Sequence, residues 1–232
     1  MGYAESILQE NSFRESLSIK QRSVTVTLNR EDYLLVVWEF LESFDSVSEI
    51  DISRRLKISP PTAHEYIQKI IDDGMVRKNG KKIDFTPAGR RAAIPLVRTH
   101  RISEVFAYNM LEVPWEETHS AVMELEHIFK DERVETLFRK LGSPATCPHG
   151  NPTNPDQRMG DVPSSLVIDG TYRVQRISFE DRDLLKTMAS ASILPGDTVR
   201  IFRDYDIVIQ GSNGEIKLTP YNAQALRLLR MT

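Results

Sequence analysis

The sequence predicts a mainly α-helical protein with a small β component: an N-terminal winged helix-turn-helix, a helical middle and a C-terminal β-barrel-like unit. Three observations carry that expectation. Two helical stretches joined by the turn Lys57-Ile58-Ser59 run into an Asn79-Gly80 hairpin. The stretch from Thr86 to Leu141 reads as three successive helices. Beyond residue 166, short strand-like segments alternate with turn signals.

The first helix begins after Asn29, a good N-cap, with Glu31 and Asp32 in the first turn, where the helix dipole favours carboxylates. Leu34, Val37, Trp38 and Leu41 form its apolar stripe. Residues 48–56 form a short second helix. Residues 60–73 form a third, with Ser59 as cap, two prolines in the first turn and Gly74 as the C′ residue. Residues 75–78 and 83–86 read as the hairpin strands. A helix restarts at Thr86-Pro87 and continues to Leu111, with Pro95 expected to kink it. Pro114-Trp115-Glu116-Glu117 opens the next helix, and residues 131–141 the last of the middle region, stopped by Gly142.

Residues 143–165 hold five prolines (144, 148, 152, 155 and 163) and read as an ordered loop grading into a linker. Strands are expected at 171–179, 197–203, 206–210 and 215–218, with a helical insert near 181–191. The expected domains are therefore an arm (1–26), a winged helix (27–92), a helical unit (93–142), a Pro-rich linker (143–165) and a small barrel (166–232).

Composition narrows the function classes. The 232 residues are 40% hydrophobic, and the net charge of −3 provides no global basic field. Any DNA binding must come from a local patch. The single cysteine, Cys147, excludes an intrachain disulfide and makes a reducing compartment the default. No stretch has the length and apolar character of a signal peptide or a membrane span, so the protein reads as soluble and cytoplasmic.

A local patch exists. Arg77, Lys78, Lys81 and Lys82 surround Asn79-Gly80 with no carboxylate among them, a good phosphate-binding wing. On the third helix Ser59, Thr62, His64, Glu65 and Lys69 are polar, and Pro61 and Ala63 are available to a thymine methyl. Glu65 could accept from a cytosine amino group or face away. A winged helix used for protein contacts is the alternative.

The second cluster is His119…Met123…Glu126-His127, with His100 and Glu104 upstream. At about 100° per residue the first four share one helix face. Two imidazoles, a thioether and a carboxylate pack a core poorly but suit a divalent metal. Taken singly, each has an ordinary structural role: Met123 in a core, His100 and Glu104 as an i,i+4 pair, Asp32 as a helix N-terminal stabiliser. Cys147 is followed by Pro148-His149 on a loop, which supplies no positioned base for a nucleophile.

Together, the winged helix, Arg98-Thr-His100-Arg101-Ile-Ser-Glu104, the His119–His127 helix and Cys147-Pro-His-Gly-Asn-Pro152 resemble the iron-dependent regulators of the diphtheria toxin repressor type. The manganese transport regulator is their sister group. The resemblance covers nearly all of residues 28–232. It implies a helical dimerisation domain and an SH3-like C-terminal domain. It also implies a primary metal site of Asp32, Met123, Glu126 and His127, and an ancillary site of His100, Glu104, His119, Glu180 and Asp183.

Arg101, Cys147 and Asn151 would lie at the family's anion site. The carboxylate at 32 is the manganese-type choice, and Met123 replaces the iron-type cysteine. A soft sulfur beside oxygens and imidazole favours Fe²⁺, with Mn²⁺, Co²⁺ or Ni²⁺ as alternatives. The resemblance implies a metal-activated repressor binding palindromic double-stranded operator DNA as a homodimer, with up to two dimers per operator, and no enzymatic turnover. A metal-dependent hydrolase and a metal-buffering protein are the rival classes; the first lacks a His-Glu-x-x-His arrangement.

Overall fold

The computed structural model describes residues 29–125, 129 and 132–231. The arm expected at 1–26 lies outside them. Helix α1 (Arg30–Ser43) opens on a capping box, in which the Asn29 side chain accepts from the Glu31 and Asp32 amides and Asp32 accepts from the Asn29 amide. Its residues from Tyr33 to Trp38 are buried almost without interruption, because neighbouring elements cover several of its faces. Helix α2 (Glu49–Leu56) carries a second capping box, Ser48 with Asp51, and ends on Lys57 at φ 54°. Helix α3 (Pro60–Asp72) is capped by Ser59. Ile52, Ile67 and Ile70 fill the space between these helices. Each such burial contributes about 1.5–3 kcal/mol.

Strands β1 (Val76–Asn79) and β2 (Lys82–Phe85) form the wing as an antiparallel pair, with Val76 opposite Phe85 and Arg77 opposite Asp84. Val47 bridges Ile83, tying the wing to the segment before α2. Helix α4 (Pro87–Leu111) runs unbroken through Pro95. Gly89 is required near its start, since a Cβ there would stand 1.7 Å from the Met75 carbonyl oxygen. A 3₁₀ turn at Trp115–Glu117 leads into α5 (Thr118–Leu125), and α6 (Glu132–Lys140) follows.

The C-terminal domain is a six-stranded antiparallel sheet ordered β3-β8-β4-β5-β6-β7. Its strands are β3 (Val162–Pro163), β4 (Gly170–Ile177), β5 (Thr198–Asp204), β6 (Asp206–Gln210), β7 (Glu215–Leu218) and β8 (Leu226–Arg230). Helix α7 (Arg182–Ser190) is the expected insert, and a short α8 (Asn222–Ala225) precedes β8. Strand β8, absent from the sequence reading, lies inside the sheet next to its edge strand and pairs with both β3 and β4.

The C-terminal domain sits directly on the winged helix. Ser43 donates to Ser178 at 2.9 Å, and Phe44 stacks on Tyr221 with centroids 4.4 Å apart. Arg176 pairs with Glu42 at 2.8 Å and with Asp161 at 2.6 Å, while Arg101 pairs with the other Glu42 oxygen.

Candidate metal centre

The centre is assembled from α4, α5, the 144–153 loop and the segment joining β4 to α7. His100 and Glu104 stand one turn apart on α4, so their side chains share a face. His119 comes from the start of α5 and Glu180 from just before α7. One ligand atom from each of these four lies within 4.8 Å of all the others. His119 Nδ1 is 2.8 Å from Glu180 Oε2, 3.1 Å from His100 Nε2 and 3.8 Å from Glu104 Oε1.

A second donor set overlaps the first. Glu104, Cys147, His149 and Glu180 also bring ligand atoms within 4.8 Å of one another. His149 was not among the sequence candidates, yet the fold sets it in the same buried group as Cys147. The loop folds back through Cys147 N–H to Asn151 O and Gly150 N–H to Cys147 O, and His149 O accepts from the Ile177 amide. Gly150, at φ +84°, permits that approach; a Cβ there would lie 2.3 Å from the Gln175 carbonyl oxygen. His149 Nε2 faces the Trp115 carbonyl at 3.0 Å, and its Nδ1 points inward, 3.3 Å from both Glu104 Oε1 and Glu180 Oε2.

Charge and burial define the chemistry. Glu104, Cys147, His149 and Glu180 are all buried. Both Glu104 oxygens and His149 Nδ1 lack a hydrogen-bond partner among the described residues, although they lie within ion-pair range of each other. Burial opposes charge on His149, but the Glu180 and Glu104 carboxylates overcome it and hold its pKa well above the usual imidazole range. Burial likewise opposes charge on Glu180, yet His149 and His119 hold its pKa well below the usual carboxylate range. Burial, with Glu104 adding, pushes the Cys147 thiol up to about 12, so it is no thiolate nucleophile at neutral pH.

Two buried carboxylates, three imidazoles and a thiol with orphaned oxygens form a donor set that fits a divalent transition metal.

The other predicted residues take several positions. Asp32 is buried, with Oδ2 accepting from the Asn29 amide as the N3 member of the capping box. Met123 is half-buried and lines a cavity of about 480 Å³ beside His119. Glu126 and His127 lie outside the described residues. Asp183 borders the same cavity but is exposed in the first turn of α7, apart from the four-ligand cluster. Asn151 donates to Glu180 Oε1 at 2.6 Å and accepts from Arg176. Arg101 is buried, donating to Pro152 O and pairing with Glu42.

On the DNA-facing side, Ser59, Pro61, His64, Glu65 and Lys69 are exposed on α3 and Thr62 is half-buried against the cap. Ala63 is fully buried, which corrects its reading as a thymine contact: position 63 points into the helix bundle. The wing is not free of carboxylates. Glu49 from α2 pairs with Lys78 at 2.6 Å and His64 at 3.2 Å, and Asp84 pairs with Arg77 at 2.8 Å. Lys81 and Lys82 are exposed with no ion pair among the described residues.

Comparison with known proteins agrees with this architecture. Residues 25–82 match the family model for the iron dependent repressor N-terminal DNA binding domain, and residues 86–155 that for its metal binding and dimerisation domain. The chain is 27% identical to the iron-dependent repressor IdeR of Mycobacterium leprae over 193 residues, which is 74% of this chain and 82% of the relative. The crystal structure of T. acidophilum IdeR superimposes with a TM-score of 0.79 at 28% identity, covering 87% of this chain and 98% of that one. A manganese-dependent transcriptional repressor in complex with manganese gives 0.75 at 31% identity, covering 88% and 100%.

Proposed function

The chain belongs to the iron-dependent repressor family of metal-dependent transcriptional repressors, and on that premise we propose how its own residues carry the switch. The single observation that carries the reading is the buried convergence of His100, Glu104, His119 and Glu180, joined by Cys147 and His149. A divalent cation there would be held by Glu104, Glu180 and the imidazoles, and would give the buried Glu104 oxygens, which make no hydrogen bond among the described residues, a fixed positive charge. The protein's residues then do the rest. Glu104 and Glu180 share both donor sets, and Asn151 and His149 orient Glu180. Because these donors come from α4, α5, the 144–153 loop and the β4–α7 segment, holding them together fixes the helical unit relative to the C-terminal domain. Asp32 and Met123, with Glu126 and His127 beyond the described residues, are proposed as a further site linking α1 to α5. Asp183 is proposed as an outer carboxylate of the ancillary set, and Arg101 as its anion neighbour.

We assign α3 to the major groove, with Ser59, Pro61, Thr62, His64, Glu65 and Lys69 facing bases and the adjoining backbone. The wing residues Arg77, Lys78, Lys81 and Lys82 take phosphates. The active form is a cytoplasmic homodimer on a palindromic operator, with up to two dimers per operator. Tyr108, Met110 and Leu111, exposed at the end of α4, supply apolar surface for pairing. No turnover is proposed.

Fe²⁺ is the preferred metal, because a thioether and a thiol accompany the oxygens and imidazoles. The two buried carboxylates favour Mn²⁺ as the second reading. An anaerobic competition between Fe²⁺ and Mn²⁺, read out by binding to a duplex selected from a random pool, tests both. Equal duplex affinity with and without metal would remove the switch.

A further inference from the structure

The 3₁₀ turn between α4 and α5 grips the loop that carries the second donor set. Trp115, in that turn, is buried, and its indole N–H donates to the Pro148 carbonyl at 2.8 Å. Its own carbonyl oxygen lies 3.0 Å from His149 Nε2. Its ring meets the His149 ring at 60°, with centroids 4.9 Å apart. The fully buried Thr118 hydroxyl donates to the Trp115 carbonyl at 2.9 Å and stands 3.3 Å from His149 Nε2. Trp115 thus touches the loop through an indole N–H, a carbonyl and a ring face.

The loop's other anchors lie elsewhere. The Cys147 amide bonds within the loop to Asn151 O, and the Ile177 amide ties His149 O to β4. Arg101 and Arg98 hold the far end, at the Pro152 and Thr153 carbonyls, to α4. At Pro148-His149 it is Trp115 and Thr118 that make the link to the start of α5. His119 follows Thr118 directly in the chain, so one turn fixes His119 by adjacency and His149 by contact. Both histidines turn Nδ1 towards the same atom, Glu180 Oε2, at 2.8 and 3.3 Å. Donors from separate segments must be held to within about 0.5 Å to close on one ion.

We propose that Trp115 is the positioning residue that brings the Cys147–His149 loop to an ion held by the α4 and α5 ligands. The proposal rests on the metal reading above and adds to it a residue that itself touches no ion. Its effect is preorganisation: a loop left unheld at Pro148 must be ordered when the ion binds, and that ordering weakens the site.

Trp115→Phe keeps an aromatic ring against His149 and removes the N–H that holds Pro148. In the metal-free protein, hydrogen exchange should quicken about tenfold at the Gly150 and Ile177 amides, whose acceptors are Cys147 O and His149 O, while amides in the middle of α4 keep the wild-type rate. Mn²⁺ affinity by titration calorimetry should fall about tenfold. In a protein without the loop ligands, Cys147→Ala with His149→Phe, the His100, Glu104, His119 and Glu180 donors remain, and the same Trp115 change should cost less than about twofold. Thr118→Val removes only the hydroxyl; it should weaken Mn²⁺ about threefold and lose that effect in the same background. An equal loss in both backgrounds makes Trp115 a general brace of the fold and overturns the proposal. Unaltered exchange at Gly150 and Ile177 overturns it too, as does a folded Trp115→Phe that binds Mn²⁺ like wild type. If Trp115→Phe does not fold, a Thr118→Val protein with wild-type affinity overturns it instead. A wild type that binds no Mn²⁺ removes the metal reading and this role together; a wild type that binds while the losses are additive removes this role alone.

Discussion

The metal centre and the wing both concentrate charge, but on opposite sides of the dielectric boundary. At the centre, Glu104 and Glu180 are sealed from water and oppose imidazoles at 2.8–3.4 Å. At the wing, Arg77 and Lys78 are paired with Asp84 and Glu49 at similar distances, yet their side chains remain open to solvent. Short ion pairs at the centre signal an unmet demand for a cation, because buried charge is costly without full compensation. Those at the wing signal little, since exposed pairs contribute only about 0–1 kcal/mol and can be exchanged for phosphates. The same geometry therefore means a site in one place and a solvated surface in the other.

The comparison breaks most sharply at Glu104. Glu104→Gln keeps the volume but removes one of the two carboxylates common to both donor sets, and metal affinity by titration calorimetry should fall about 100-fold or more. An unchanged isotherm would mean that the centre is structural.

Acid and base sharpen the comparison next. His149 has a folded-state pKa raised above its unfolded value. Its stabilising effect in the metal-free protein is complete below about pH 6.5 and is lost as pH rises through the raised value. Glu180 and Glu39 have lowered pKa values, so their contribution is present above about pH 4.5 and is lost as pH falls. The metal-free melting temperature should accordingly decline on both sides of a mildly acidic optimum. His149→Phe should flatten the alkaline limb and also weaken the acid limb, because His149 is the main group holding the Glu180 pKa down; an unchanged alkaline limb would show that His149 is not the group involved.

At the wing, effects should be smaller and salt-dependent. The double change Lys81→Ala with Lys82→Ala should lower the slope of log affinity against log salt by about 2, with melting temperature unaffected. Smallest of all, Glu49→Gln frees Lys78 and His64 and should raise duplex affinity at most about fivefold. A loss of affinity there would instead make Glu49 a brace holding those side chains in place.

Much of this was legible residue by residue. Asn29, Ser48, Ser59 and Thr86 are local caps whose hydrogen bonds span three residues or fewer, so sequence alone locates the helix starts. His100 and Glu104 are visible as a pair for the same reason. His149 was hidden because its neighbours in sequence say nothing about Glu104 and Glu180, 45 residues before it and 31 after. Ala63 was misread because helical spacing does not reveal which face the partner helices cover. Strand β8 could have been found: Leu226-Arg-Leu-Leu-Arg230 alternates partly, but its short run directly after the helical turn at Asn222–Ala225 gave a weak period-2 signal.

Local chemistry, then, determined the helix caps, the hairpin, the spacing of the α4 donors and the resemblance that named the fold, since each depends on contacts within one turn or one short motif. Tertiary structure alone decided that a loop histidine and a thiol join those donors, that carboxylates from α2 and β2 answer the wing's cations, and that Trp115 holds the loop carrying that histidine. Those facts depend on chain segments brought together by packing apolar faces, and no residue carries in its own neighbourhood the identity of what the fold will set against it.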